Sequence, residues 1–159
     1  MTPALLRLSR SVHTPFVPSA NLELVRSIYA AWERGDFSSA EWAHPDIEFV
    51  MADGPSPSAS TGLSGMAAEF RNFAGPWEGY GVIADEYREV DENCVLVLVH
   101  WIGRGKTSGL SLAEVPNRGA NAFYLTDATV TRLVAYWDRE RALADLGLSP
   151  GGDAADPSG

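Results

Sequence analysis

Three polar side chains occupy places where an acid, a base or a hydrogen-bond donor would have consequences: His100, Asn121 and Asp138. His100 interrupts CVLVLVHWIG, the most apolar run in the chain. A histidine there can shuttle protons, because burial tunes an imidazole that already titrates near neutrality. It can equally be a satisfied core or interface residue. Asn121 lies in NAFYL, a segment otherwise suited to burial. An amide donor aimed at a ligand oxygen would stabilise developing negative charge. The structural alternative is an asparagine that satisfies backbone at a bulge begun by Asn117 and Gly119. Asp138 follows Trp137, either as an acid or base at a pocket rim or as the N-cap of the next helix. Glu48 is a further strand carboxylate, and the solvent face suits it better.

Aromatic residues form the strongest pattern, with five tryptophans in 159 residues. Phe49, Trp77, Tyr80, Trp101, Phe123 and Trp137, together with Leu133, are the expected walls of a pocket for a flat or cyclic apolar ligand. Trp32 belongs to the same aromatic set, of which core packing must claim several. His13, His44 and His100 have no ligand-like spacing, and the single cysteine, Cys94, rules out a cysteine cluster, so no metal is expected. GRGKTSG lacks the spacing and the strand-to-helix context of a phosphate loop. No cofactor is expected.

The length fits one domain with a sizeable core. A net charge of −9 argues against nucleic acid and against an anionic membrane surface as partners. No apolar run approaches the ~20 residues that span a bilayer. One cysteine, with no internal disulfide possible, suits a reducing, cytoplasmic compartment. Residues 1–20 carry Arg7 and Arg10 and no acid, and are expected to form a poorly ordered arm. Residues 149–159 have the composition of a disordered tail, which leaves 21–148 as the domain.

The elements that must position these groups follow from periodicity. Asn21 is the expected N-cap of a helix ending at Gly35, with Leu22, Val25, Ile28, Tyr29 and Trp32 on one stripe. A short helix is expected over Ser38–Ala43, then a strand over Asp46–Ala52, then a loop in the Pro- and Ser-rich DGPSPSASTG. Leu63–Ala74 reads as a third helix with Met66, Phe70 and Phe73 on one face. Strands are expected over Gly81–Val90, Cys94–Arg104, Leu110–Thr126 (bent near Pro116) and Thr129–Trp137, and a helix over Arg139–Leu146. That order is an α+β layout with helices on one face of a curved sheet.

Three segments in this order, IYAAWERGDF, HPDIEFVMADG leading to STGLSG, and TVTRLVAYWDRERALADLGL, resemble the SnoaL-like branch of the nuclear transport factor 2-like superfamily. The resemblance covers about residues 21–148. It implies a cone: a curved antiparallel sheet against three helices of the N-terminal half, with an apolar cavity open at one end. It also implies homodimers through the outer sheet face. If Trp101 faces the cavity, then His100 faces outward; Leu133, Ala135 and Trp137 face inward and Tyr136 outward. The superfamily holds isomerases, dehydratases, polyketide cyclases and proteins that only bind, so the fold does not give the function. Counting against ketosteroid isomerase places Asn121 at its second aspartate, Ile28 at its tyrosine and Val50 at its aspartate base. This argues against steroid isomerisation by the two-aspartate mechanism. Two readings follow. One is a cofactor-independent enzyme catalysing proton transfer, cyclisation or dehydration of an apolar, cyclic or polyketide-like compound, with His100, Asn121 and Asp138 as polar groups. The other is a non-catalytic ligand-binding or dimerisation module.

Overall fold

The computed structural model describes residues 19–37, 40–53, 57–112 and 117–148. The expected N-terminal arm and C-terminal tail lie almost wholly outside them. Helix α1 (Ala20–Glu33) buries Val25, Ile28, Tyr29 and Trp32, the expected stripe. Its N-cap is Ser19, whose hydroxyl accepts from the Leu22 amide, rather than Asn21. Asn21 instead donates to the Glu92 carbonyl at 2.8 Å. Gly35, at φ +85°, ends the helix as expected.

Strand β1 (Ala43–Met51) starts where the second helix was expected to finish. Ser38 and Ser39 lie outside the described residues, and Ala40–Trp42 lead into the strand through a turn. The reason is that Trp42 and Ala43 are drawn into the core, Trp42 edge-on to Trp32. Strand β2 (Ser58–Thr61) falls inside the stretch expected to be loop. It pairs antiparallel along β1 from Glu48↔Thr61 to Met51↔Ser58, through backbone bonds that make little demand on side-chain type.

Helix α2 (Leu63–Ala74), β3 (Trp77–Asp91), β4 (Cys94–Gly105), β5 (Arg118–Thr126), β6 (Thr129–Tyr136) and α3 (Arg139–Asp145) complete the chain. The sheet order is β2-β1-β6-β5-β4-β3. It is mixed rather than wholly antiparallel, because β1 runs parallel to β6. Register shifts at Glu78/Gly81, Ala84/Glu86 and Glu89/Asp91 let the long β3 bend with β4. The β5–β6 turn is made by Asp127 and Ala128, both at positive φ, without the glycine such a turn prefers.

The α+β class stands, but the helices divide between the two faces of the sheet. Helix α1 packs on β3 and β4, and α2 on β1 and β2, over the concave face with Val95, Val97, Val99, Phe123 and Leu133. Helix α3 lies on the other face, against β5 and β6, and clusters with Leu96, Leu98, Ala122, Val134 and Tyr136. Of the three helices expected in the N-terminal half, α1 and α2 are present, whereas residues 40–43 of the short one are turn and strand; the expected C-terminal helix is α3. Helix α3 occupies the centre of the face through which a second copy was expected to pair.

Burial pushes the hydroxyls of all five tyrosines up. That of Tyr136, which donates to Asp145 at 3.2 Å, reaches about 12. Unfolded tyrosines ionise near pH ~10. The unfolded chain therefore releases these protons first, so the stability they contribute is complete below pH ~10 and lost as pH rises toward ~12. Urea unfolding between about pH 8 and about pH 11.5 is expected to show a midpoint that holds and then falls. A midpoint that stays flat throughout would contradict the burial of these hydroxyls.

Candidate functional site

The concave face encloses a cavity of about 850 Å³. Its walls come from α1 (Trp32), β1 (Phe49, Met51), α2 (Ala67, Phe70), β3 (Tyr80, Val82), β4 (Trp101), β5 (Asn121) and β6 (Leu133, Ala135), with Trp137 beyond the end of β6. Strand alternation explains the selection. Phe49 and Met51 share one parity on β1, as do Leu133 and Ala135 on β6. Trp101 and Trp137 stand 6.4 Å apart at 45°. Trp137 is 40% exposed, which puts it at the mouth.

Of the residues expected to bind a ligand, Phe49, Tyr80, Trp101, Leu133 and Trp137 line the cavity. Phe123 does not. It is fully buried behind the wall, where it packs against Tyr29, Trp32 and Trp42. Trp77 does not line it either, and packs over Gly103 and Gly105 where β3 begins.

The three polar candidates separate. Asn121 is on the cavity wall, 8% exposed, with its amide nitrogen 2.6 Å from the Tyr29 hydroxyl. The bulge that was the alternative role for Asn121 is absent, since β4 and β5 pair without interruption from His100↔Arg118 to Cys94↔Tyr124. Asn117 has its own task, accepting from the Trp101 amide at 3.0 Å and donating to the Leu112 carbonyl. His100 lies on the opposite sheet face, as the parity of Trp101 implies, and cannot reach a ligand in the cavity. Its Nδ1 meets Asp85 Oδ1 at 2.9 Å. The same carboxylate binds Arg139, which also donates to the carbonyls of Val99 and Gly119 and so ties α3 to the sheet. Asp138 is outside the cavity wall and caps α3, accepting from the Glu140 amide at 3.0 Å. Glu48 is solvent-exposed and pairs with Arg132 at 3.4 Å.

Two carboxylates line the cavity, Asp53 at the end of β1 and Glu69 on α2; the first also holds the wall together. Asp53 accepts from the backbone amides of Trp137 at 2.6 Å and Asp138 at 3.3 Å, and so fastens the end of β1 to the Trp137 wall. The sequence offered one signal for it: residues 49, 51 and 53 share a parity, one step past the strand end. Arg71 and Asn72 of α2 add further polar groups. Among the described residues, no three His, Cys, Asp or Glu side chains gather as a metal-binding group. No described helix is long and apolar enough to cross a membrane.

Searches against protein-family models and against curated proteins return no match. Solved structures do match. A nuclear transport factor 2-like protein of unknown function from Burkholderia pseudomallei superposes with a TM-score of 0.66 at 18% identity, over 80% of this chain and 97% of that one. TerC, co-crystallised with polyporic acid, superposes at 0.64 and 20%, over 80% and 98%. A protein from Jannaschia assigned to the SnoaL-like polyketide cyclases without an established activity superposes at 0.63 and 15%, over 82% and 94%. At these identities the likeness carries the fold and not the activity. The chain has the nuclear transport factor 2-like fold, shared with SnoaL-like and ketosteroid isomerase-like proteins.

Proposed function

We propose that this protein binds a small, predominantly apolar, cyclic molecule in the cavity of the cone. The observation that carries the reading is a cavity of about 850 Å³ with mainly aromatic and aliphatic walls and an amide, Asn121, set into them. Apolar walls supply affinity through the area they remove from water, while a few placed polar groups fix orientation. TerC, co-crystallised with polyporic acid, is a protein of this fold with a small organic molecule. Proton transfer on the bound molecule is a second reading, favoured by Asp53, whose carboxylate lines the same cavity. The two-aspartate steroid mechanism has no support. Val50 packs on the outer face, and its inward neighbours Phe49 and Met51 do not ionise.

Titration with 9-fluorenone, a planar tricyclic ketone, is expected to quench tryptophan fluorescence saturably through Trp32, Trp101 and Trp137. Filling the cavity with Ala135→Trp should weaken binding at least about tenfold, about 1.4 kcal/mol, while far-ultraviolet circular dichroism stays unchanged. His100→Gln, on the other sheet face, should leave binding unaltered. Saturable binding that survives Ala135→Trp undiminished would place the ligand elsewhere and sink the reading.

A further inference from the structure

The Tyr29 hydroxyl sits in an aromatic enclosure, its ring edge-on to Trp32, Tyr87 and Phe123. Tyr29 is fully buried, and among the described residues its hydroxyl has one hydrogen-bond partner, the Asn121 amide. Burial keeps the phenol protonated, so it must place a proton as well as accept one.

If the amide nitrogen of Asn121 donates to Tyr29, the buried phenolic proton has no acceptor, an arrangement that costs free energy in a dry interior. A half turn of the amide exchanges its nitrogen and oxygen without changing its shape, so the hydrogen bonds decide between the two settings. With the oxygen toward Tyr29, the hydroxyl donates to it and the buried phenolic proton has its acceptor. The separation agrees. At 2.6 Å it is short for a neutral N–H···O bond, which centres near ~2.9–3.0 Å, and ordinary for O–H···O. The other end of the amide then lies on the cavity side.

We infer that Tyr29 sets the Asn121 amide with its NH2 group turned into the cavity, so that the ligand presents a hydrogen-bond acceptor, a carbonyl-type oxygen, at that wall. The inference rests on the cavity being the binding site. Tyr29 is a positioning residue in this arrangement, and Asn121 is the group that touches the ligand. A ligand whose inner end carries only a donor would face two N–H groups and lose the contact.

Three planar tricycles of one shape provide the test: 9-fluorenone carries an acceptor at its central position, carbazole a donor, and fluorene neither. Their dissociation constants are measured by equilibrium dialysis. Each affinity is divided by that of the Asn121→Leu variant, which cancels differences in hydrophobicity. On this scale 9-fluorenone is expected to exceed carbazole about tenfold, with fluorene near unity. Tyr29→Phe should collapse the preference to within about threefold, because the amide loses the anchor that sets it. A Tyr29 that only supports the fold would lower all three affinities alike, leave the preference intact and overturn its assigned role. Carbazole matching or exceeding 9-fluorenone would overturn the inference and leave the apolar cavity site standing. Failure of all three to bind wild-type protein would overturn the cavity reading and the inference with it. If Asn121→Leu does not fold, the wild-type preference and its collapse in Tyr29→Phe decide the matter alone.

Discussion

Gly119→Ala is expected to cost at least about 3 kcal/mol of stability, the upper range for overpacking a fitted core. A Cβ at this position would lie 2.3 Å from Trp101 Cη2 and 2.3 Å from the Tyr136 carbonyl oxygen. Favourable carbon contacts begin near ~3.5 Å. The indole is not free to swing away, because it stands against Trp137 and forms part of the cavity wall. The carbonyl has less freedom, because Tyr136 is paired with Ala120 in the β5–β6 ladder. One added methyl group therefore has to move a tryptophan and a strand together. Against a total stability of about 5–15 kcal/mol, a loss of this size is readily measured. Urea unfolding of the variant and the parent gives the difference directly. A loss below about 1 kcal/mol would mean that β5 and Trp101 part cheaply, contrary to the packing described.

The elements that could be read in the sequence are those whose pattern has a single physical meaning. The stripe on α1 is the buried stripe, because three- and four-residue steps admit one helical face. Strand β4 was legible through its unbroken apolar run, β6 through alternation, and Asp138 through the fit of an aspartate to a helix start. What could not be read depends on partners distant in the chain. Ser58–Thr61 has a loop's composition, and it is a strand because β1 offers a free edge. The parallel pairing of β1 with β6 and the placement of α3 on the outer face likewise leave no local signature.

The candidate site was legible to the same depth. Parity grouped Leu133 with Trp137 and set Trp101 opposite to His100, and the family resemblance supplied which of those faces is the cavity side. Parity could not tell a wall from the core behind it: Phe123 and Asn121 share a parity on β5, yet only Asn121 reaches the cavity. Counting along α1 pointed to Ile28 where Tyr29 is the residue that meets Asn121. One residue is a rotation of about 100° on a helix, so a shift of one position changes which side chain arrives. Asp53 escaped because its neighbours are loop-like, although its position relative to Phe49 and Met51 was countable.

Trp32→Ala is the second substitution expected to have a large effect, about 4 kcal/mol, within the range for removing a buried aromatic side chain. The indole is 5% exposed and joins the two helices of the concave face to the sheet. Its ring centroid lies 4.9 Å from that of Tyr29 on its own helix, 5.7 Å from Phe70 on α2 and 6.4 Å from Phe123 on β5. Trp42, leading into β1, is 6.0 Å away. Edge-on aromatic pairs contribute about 0.5–1.5 kcal/mol beyond the area they bury, so losing several together adds to the transfer cost. Trp32 also lines the cavity, so the space left by the indole opens into the cavity instead of forming a sealed void. Trp32→Phe should recover at least half of the loss, because a phenyl ring keeps the contact with Phe70 and fills most of the space. Comparing the two variants by urea unfolding separates the aromatic contribution from simple volume. If Trp32→Ala costs less than about 2 kcal/mol, the concave core is held by the aliphatic residues of β4 and β6 instead of by this ring.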